Sequence, residues 1–160
     1  MKTIGRIKQL KREYPTQPVI GIGAVIICNS KILLAKRGSE PGKNKWSIPG
    51  GLVELGETVH DAIVREVKEE TNLNVEVHSL IDVVDNLEPD EKGKWRYHFV
   101  ILDFFVRLKG GNLHAGSDAL EIRWVSLNEV EKYNLTKIFR EFFERNREKL
   151  QHFNSLKKGF

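Results

Sequence analysis

GLVELGETVHDAIVREVKEETNL, running from Gly51 to Leu73, is the stretch on which the reading of this chain turns. Its second half has helical spacing. Val59, Ile63 and Val67 recur at i, i+4 and i+8 and make one apolar stripe. Thr58 followed by Asp61 is a helix-start signal, and Asn72, a residue that tolerates left-handed backbone, is a credible stop. The spacing predicts a helix over Thr58–Thr71.

Acids interrupt that helix on the side that should be apolar. At about 100° per residue, Glu70 projects roughly 20° from Ile63, Glu66 roughly 60° from it, and Glu69 roughly 60° beyond Glu66, with Arg65 on the far side. Burying one unpaired carboxylate costs several kcal/mol, and like charges nearby add to it. A salt bridge to Arg65, protonation, or a bound divalent cation would each offset the penalty. Only the cation serves all three acids at once, and hard oxygen ligands suit Mg²⁺ or Mn²⁺. The same residues also suit an exposed charged helix in which Arg65–Glu69 is an i,i+4 pair. The residues ahead of the helix favour the cation. Pro49-Gly50-Gly51 reads as a glycine-rich loop that lets backbone approach a ligand, and Glu57 adds a fourth acid.

Outward from this stretch, β signals dominate. Val19–Cys28 is apolar and β-branched, Asn29-Ser30 is a turn, and Lys31–Lys36 completes a hairpin. Trp46–Ile48 reads as a short strand after a loop at Arg37–Lys45. Asn74–Val84 and Arg96–Leu108 are strands separated by a turn at Glu88–Gly93, and Glu121–Val125 is another. Leu135–Phe153 is an amphipathic helix with Ile138, Phe142, Phe143 and Leu150 on its core side. At the other end, Ile4, Ile7, Leu10 and Tyr14 are spaced for a short helix that Pro15 would stop. Strands that outnumber helices without alternating regularly predict a mixed α/β sandwich. We read residues 1–160 as one domain, with helices at about 1–15 and 135–153 at its ends.

Bulk composition narrows the function classes. The chain has 160 residues, 40% hydrophobic and 30% charged, as expected of a globular domain with a sizeable core. No apolar run is long enough to span a bilayer, and Met1–Leu10 carries three charges within any signal-peptide window, so no membrane role and a cytoplasmic location are expected. Cys28 is the only cysteine, which excludes an intramolecular disulfide and a cysteine metal cage. The net charge of +4 comes largely from dispersed basic residues near the ends, among them Lys2, Arg6, Lys8, Lys149, Lys157 and Lys158. Dispersed cations read as a solvated surface, so no nucleic-acid partner is expected.

The stretch resembles the Nudix box, whose pattern is G-x5-E-x7-R-E-U-x-E-E-x-G-U, with U aliphatic. Gly51, Glu57, Arg65, Glu66, Val67, Glu69, Glu70 and Leu73 match, and Asn72 stands where the pattern has Gly. The likeness extends roughly from Val19 to Val130, through Lys36-Arg37-Gly38, Trp46 and Glu121-Ile122-Arg123-Trp124. It implies the Nudix α/β/α sandwich with a mixed β-sheet, and metal-dependent hydrolysis of a nucleoside diphosphate linked to another group. By the same likeness, Glu66, Glu69 and Glu70 would bind Mg²⁺ (or Mn²⁺), joined by the Gly50 carbonyl and Glu57, with Arg65 orienting the acids. Family members also often form homodimers.

A proton acceptor is needed for an attacking water, and members of the family take it from the box or from a later loop. The candidates are Glu69, Glu66 and Glu121, with Asp118 behind them; Glu121 equally suits the exposed start of a strand. Arg37, with Lys36, would meet substrate phosphates or simply end a strand. Trp46 would stack on a base or pack in the core, and Gly51 would let substrate approach. The five histidines show no metal-ligand spacing. Pro89, sixteen residues after Leu73, is similar in placement to the ADP-ribose pyrophosphatase branch, although Glu-Pro-Asp also shapes turns. ADP-ribose, giving AMP and ribose 5-phosphate, is therefore the expected substrate. The alternatives are nucleoside triphosphate sanitising and a non-catalytic nucleotide- or RNA-binding module.

Overall fold

A computed structural model describes residues 11–116 and 118–156. Seven strands and two helices follow one another as β1 (Val19–Cys28), β2 (Lys31–Arg37), β3 (Trp46–Ser47), β4 (Gly50–Leu52), α1 (Val59–Thr71), β5 (Asn74–Pro89), β6 (Trp95–Gly110), β7 (Ala119–Ser126) and α2 (Lys137–Leu156). The α/β class with a mixed sheet is as expected: β1 runs parallel to β6, and the other pairings are antiparallel.

The β1–β2 hairpin does more than pair with itself. Only Ile27 with Ile32 and Cys28 with Lys31 face each other across it. Beyond them the strands part. β1 joins β4, β6 and β5 in one part of the sheet, while β2 joins β3 and β7 in the other. All of β1 except Ile20 and the terminal Cys28 is buried, because both faces of the strand are covered. That explains its unbroken apolar run. On one face Ile22, Ala24 and Ile26 pack with Ile63 and Val67 of α1. On the other, Val25 and Ile27 pack with Phe139, Phe142 and Phe143 of α2.

Several boundaries differ from the sequence reading. Gly50–Leu52 is not loop but a strand registered on β1, with Gly23 opposite Gly50 and Gly21 opposite Leu52. β5 continues to Pro89, so the turn shrinks to five residues. Asp90 closes it, its carboxylate accepting from the Lys92 and Lys94 amides at 2.9 Å each, with Gly93 at φ 80°. The C-terminal helix starts at Lys137 because the Thr136 hydroxyl accepts from the Phe139 amide at 3.2 Å. The expected N-terminal helix lies mostly outside the described residues. Its last part, residues 11–15, is not helical, and Tyr14 sits at φ 50° with its amide bonded to the Arg96 carbonyl. Among the described residues, no helix is long and apolar enough to cross a membrane.

Candidate active site

Local chemistry sets α1 where it is. The Thr58 hydroxyl accepts from the Asp61 amide at 3.1 Å, and Asn72 at φ 60° returns its N–H to the Lys68 carbonyl. Both ends are those read from the sequence. Ala62, Ile63 and Val67 then fasten the helix to the sheet, which swings its acid-bearing flank over β4.

Arg65 is the hub of that flank. Its guanidinium donates to both Glu57 oxygens at 2.6 and 3.0 Å, to Glu66 at 2.9 Å, to Glu69 at 3.2 Å and to the Leu52 carbonyl at 3.0 Å. The Arg65–Glu69 pair is therefore one contact of five, not an isolated surface pair. Although Arg65 starts on the far side of the helix, its length carries it back to the loop that Glu57 occupies. The ion pair pulls the Glu57 carboxyl below its usual range and raises the Arg65 guanidinium.

Glu66 and Glu70 are the desolvated acids. Burial raises both, against the opposing pull of Arg65 on Glu66 and of the Gly50 amide on Glu70. Glu70 accepts from that amide at 3.0 Å and reaches a pKa of about 7. Glu69 is different: its side chain is 60% exposed, so the helix gathers two desolvated acids and one solvated one. Gly51 serves Glu66, since a β-carbon there would fall on the Glu66 carboxylate.

The remaining residues singled out from sequence divide. Arg37 is half-buried, donates to the Pro41 carbonyl at 2.7 Å, and its charge reaches Glu70. Trp46 is 7% exposed, edge-on to Tyr133 and covered by Arg123, so its faces are taken by core packing. Glu121 pairs with Arg123 and lies in register with Lys36. That pair is solvent-exposed, and Asp118 is the acid outside the helix whose charge reaches Glu70. Pro89 caps the end of β5, next to the Asp90 turn. Two histidines serve as packing rings, His60 on Phe104 and His78 on Phe105 and Phe153.

Two contributors had no sequence signal of their own. The Leu52 carbonyl holds Arg65 through backbone, which no side-chain pattern reveals. The segment after β6 folds back on the end of α1: the His114 amide bonds the Thr71 carbonyl at 3.0 Å, and the Gly116 amide bonds the Glu70 carbonyl at 2.8 Å. Gly110-Gly111 and Gly116 were the only hint of it.

Among the described residues no three acids converge on one point in this arrangement, because Arg65 takes up Glu57, Glu66 and Glu69. The charge balance still fits a cation. Arg65 holds three carboxylates (Glu57, Glu66 and Glu69), Glu70 lies beyond its reach on the Gly50 amide with Arg37 as the cation it feels, and two of these four acids are desolvated.

A NUDIX domain model matches residues 17–145. The chain belongs to the NUDIX family. An ADP-ribose pyrophosphatase of Methanocaldococcus jannaschii is 41% identical over 115 residues, 72% of this chain and 66% of the relative. The chain thus spans a little under two thirds of that relative's length. A putative 8-oxo-dGTP diphosphatase of Bacillus subtilis is 35% identical over 105 residues, 64% of this chain and 63% of that protein. The crystal structure of a MutT NUDIX hydrolase from Burkholderia pseudomallei superposes with a TM-score of 0.70 at 30% identity, covering 80% of this chain and 97% of that one. This NUDIX chain is therefore similar to relatives named for different nucleotide substrates.

Proposed function

We propose that this NUDIX protein hydrolyses the diphosphate bond of ADP-ribose, releasing AMP and ribose 5-phosphate, with Mg²⁺ or Mn²⁺ held by Glu57, Glu66, Glu69, Glu70 and the Gly50 carbonyl. The observation that carries it is the pair of desolvated acids, Glu66 and Glu70, held against Gly50 and Gly51 beside the Arg65 hub. A divalent cation, when bound, neutralises phosphate oxygens and lowers the pKa of water. Water attacks one phosphorus, the P–O–P bridge breaks, and the bridging oxygen leaves with the other phosphate. Glu69, solvated and adjacent, takes the proton from water, with Asp118, whose charge reaches Glu70, as the alternative acceptor. Arg37 faces the phosphates. Trp46, engaged in core packing, is left out of this reading, and Glu121, exposed beside Arg123, is a further candidate acceptor.

The M. jannaschii relative's name supports ADP-ribose, and the B. subtilis relative's name supports an oxidised triphosphate. Chromatography of products from a substrate panel with MgCl₂ decides between them. AMP and ribose 5-phosphate formed from ADP-ribose with the highest kcat/KM is the expected result. A triphosphate preferred tenfold, about 1.4 kcal/mol in the transition state, transfers the proposal to triphosphates. Binding without turnover, insensitive to chelator, ends the catalytic reading. We further propose a cytoplasmic homodimer that binds no nucleic acid, which light scattering and an RNA-binding assay examine directly.

A further inference from the structure

One buried acid stands outside the metal box. Asp103, on β6, is only 4% exposed, yet no hydrogen bond reaches its carboxyl among the described residues. Its cross-strand neighbour Asp82 takes the local donors instead, accepting from Arg145 at 2.7 Å and from the Asn146 amide at 2.7 Å. Buried polar groups are almost always bonded, so a bare one calls for an explanation. No described side-chain nitrogen or oxygen is at once sealed from solvent and unbonded. The residual exposure of Asp103 therefore falls on its carboxyl oxygens, which are reachable.

Its place in the sheet indicates what reaches it. Gly50, Gly23, Asp103 and Asp82 form one row across β4, β1, β6 and β5. The carboxyl leans away from Asp82, over Gly23 and against Ile48, into space that a β-carbon on Gly23 would fill. Gly50, at the start of that row, is the residue whose amide holds Glu70. Two strand spacings, about 10 Å, separate Gly50 from Asp103. That is roughly the span from a nucleotide's α-phosphate to the far edge of its base.

We propose that Asp103 is a specificity-determining residue whose carboxyl accepts a hydrogen bond from the 6-amino group of an adenine ring lying against the partly exposed Ile48. This rests on the reading of the site as a nucleotide diphosphatase. Burial, reinforced by the Asp82 charge, raises the Asp103 carboxyl to about 7. Protonated or not, it keeps an oxygen that can accept, and a ligand amine supplies the donor the fold withholds.

The test is calorimetric and needs no turnover. The full chain in MgCl₂ is titrated with AMP and with purine riboside 5′-monophosphate, which lacks only the amino group. Wild type is expected to bind AMP about tenfold tighter, equivalent to about 1.4 kcal/mol. Asp103→Asn, which keeps a carbonyl acceptor, should retain most of that preference, and Asp103→Leu should reduce it to within twofold. Equal binding of the two nucleotides by wild type, no AMP binding at millimolar concentration, or an unchanged preference in Asp103→Leu overturns the assignment. The wild-type comparison stands even where a variant does not fold. Preference without hydrolysis would instead remove the proposed reaction and leave the base contact in place.

Discussion

The carboxylate of Glu66 occupies the space that a β-carbon on Gly51 would need. The obstacle is the far end of a flexible side chain, so the fold can accommodate Gly51→Ala by moving Glu66 aside. Turnover is expected to drop by two orders of magnitude or more, while the melting temperature shifts by only about 4 °C. Near-normal activity in Gly51→Ala would show that the position of Glu66 is not needed.

Glu70 and Asp103 make stability depend on pH in a stated direction. Both reach about 7 in the fold, against ordinary values of 4.5 and 3.8. The folded chain therefore retains protons that the unfolded chain releases between about pH 4 and 7, and stability falls as pH rises through that window. At about 1.4 kcal/mol per pKa unit, the decline should be several kcal/mol for the metal-free chain. Glu70→Gln and Asp103→Asn should each flatten it, and Glu70→Gln should also cut turnover by orders of magnitude. Melting curves in chelator from pH 4.5 to 7.5 give the sign; a rise across that range contradicts the assignment.

Asn72 combines a left-handed backbone with a side-chain bond to the Asn112 carbonyl at 2.8 Å. Asn72→Gly relieves the backbone and loses the bond, so its stability should stay within about 0.5 kcal/mol of wild type. Asn72→Val lacks both advantages and should cost roughly 1–2 kcal/mol. Denaturant titration of the three proteins separates these outcomes, and identical midpoints would refute the cap.

Gly116 is packed so closely on α1 that a β-carbon would collide with the Glu69 carbonyl oxygen, which is backbone and cannot swing away. Gly116→Ala should release the segment from the end of α1 and shift Asp118 relative to Glu70. We expect kcat to fall about tenfold or more with the global melting temperature lowered by about 3 °C. Hydrogen exchange at the Gly116 amide should rise in parallel. Unchanged exchange together with unchanged kcat would mean the segment does not position the acids.

Much of the site was legible in the sequence because its information is local. Thr58, Asp61 and Asn72 bracket α1 through contacts within a few residues, so residue type alone marks both ends. The helical period likewise turns Glu66 and Glu70 toward the Val59–Ile63–Val67 stripe. Glu57 stood out as a fourth acid, but its role beside Arg65 was legible only through the family pattern, because that tie bridges eight residues and a loop. Trp46 had two readings that composition could not separate. Burial against Tyr133 and Arg123, which arrive from distant segments, decided for the core.

By itself, then, the sequence determined the helix, its caps, the acid-bearing flank and the family, since each depends on spacing along the chain. Tertiary structure alone decided that β1 and β2 part into different portions of the sheet, that Gly50 is strand rather than loop, and that Glu69 stays solvated while Glu70 does not. It also decided the row that brings Gly50, Gly23 and Asp103 together from three strands. Strand alternation has a period of two, so slipping the register by one residue would turn Asp103 to the opposite face with no change in sequence pattern. Only the long-range pairing of β1 with β6 selects the face on which that carboxyl lies.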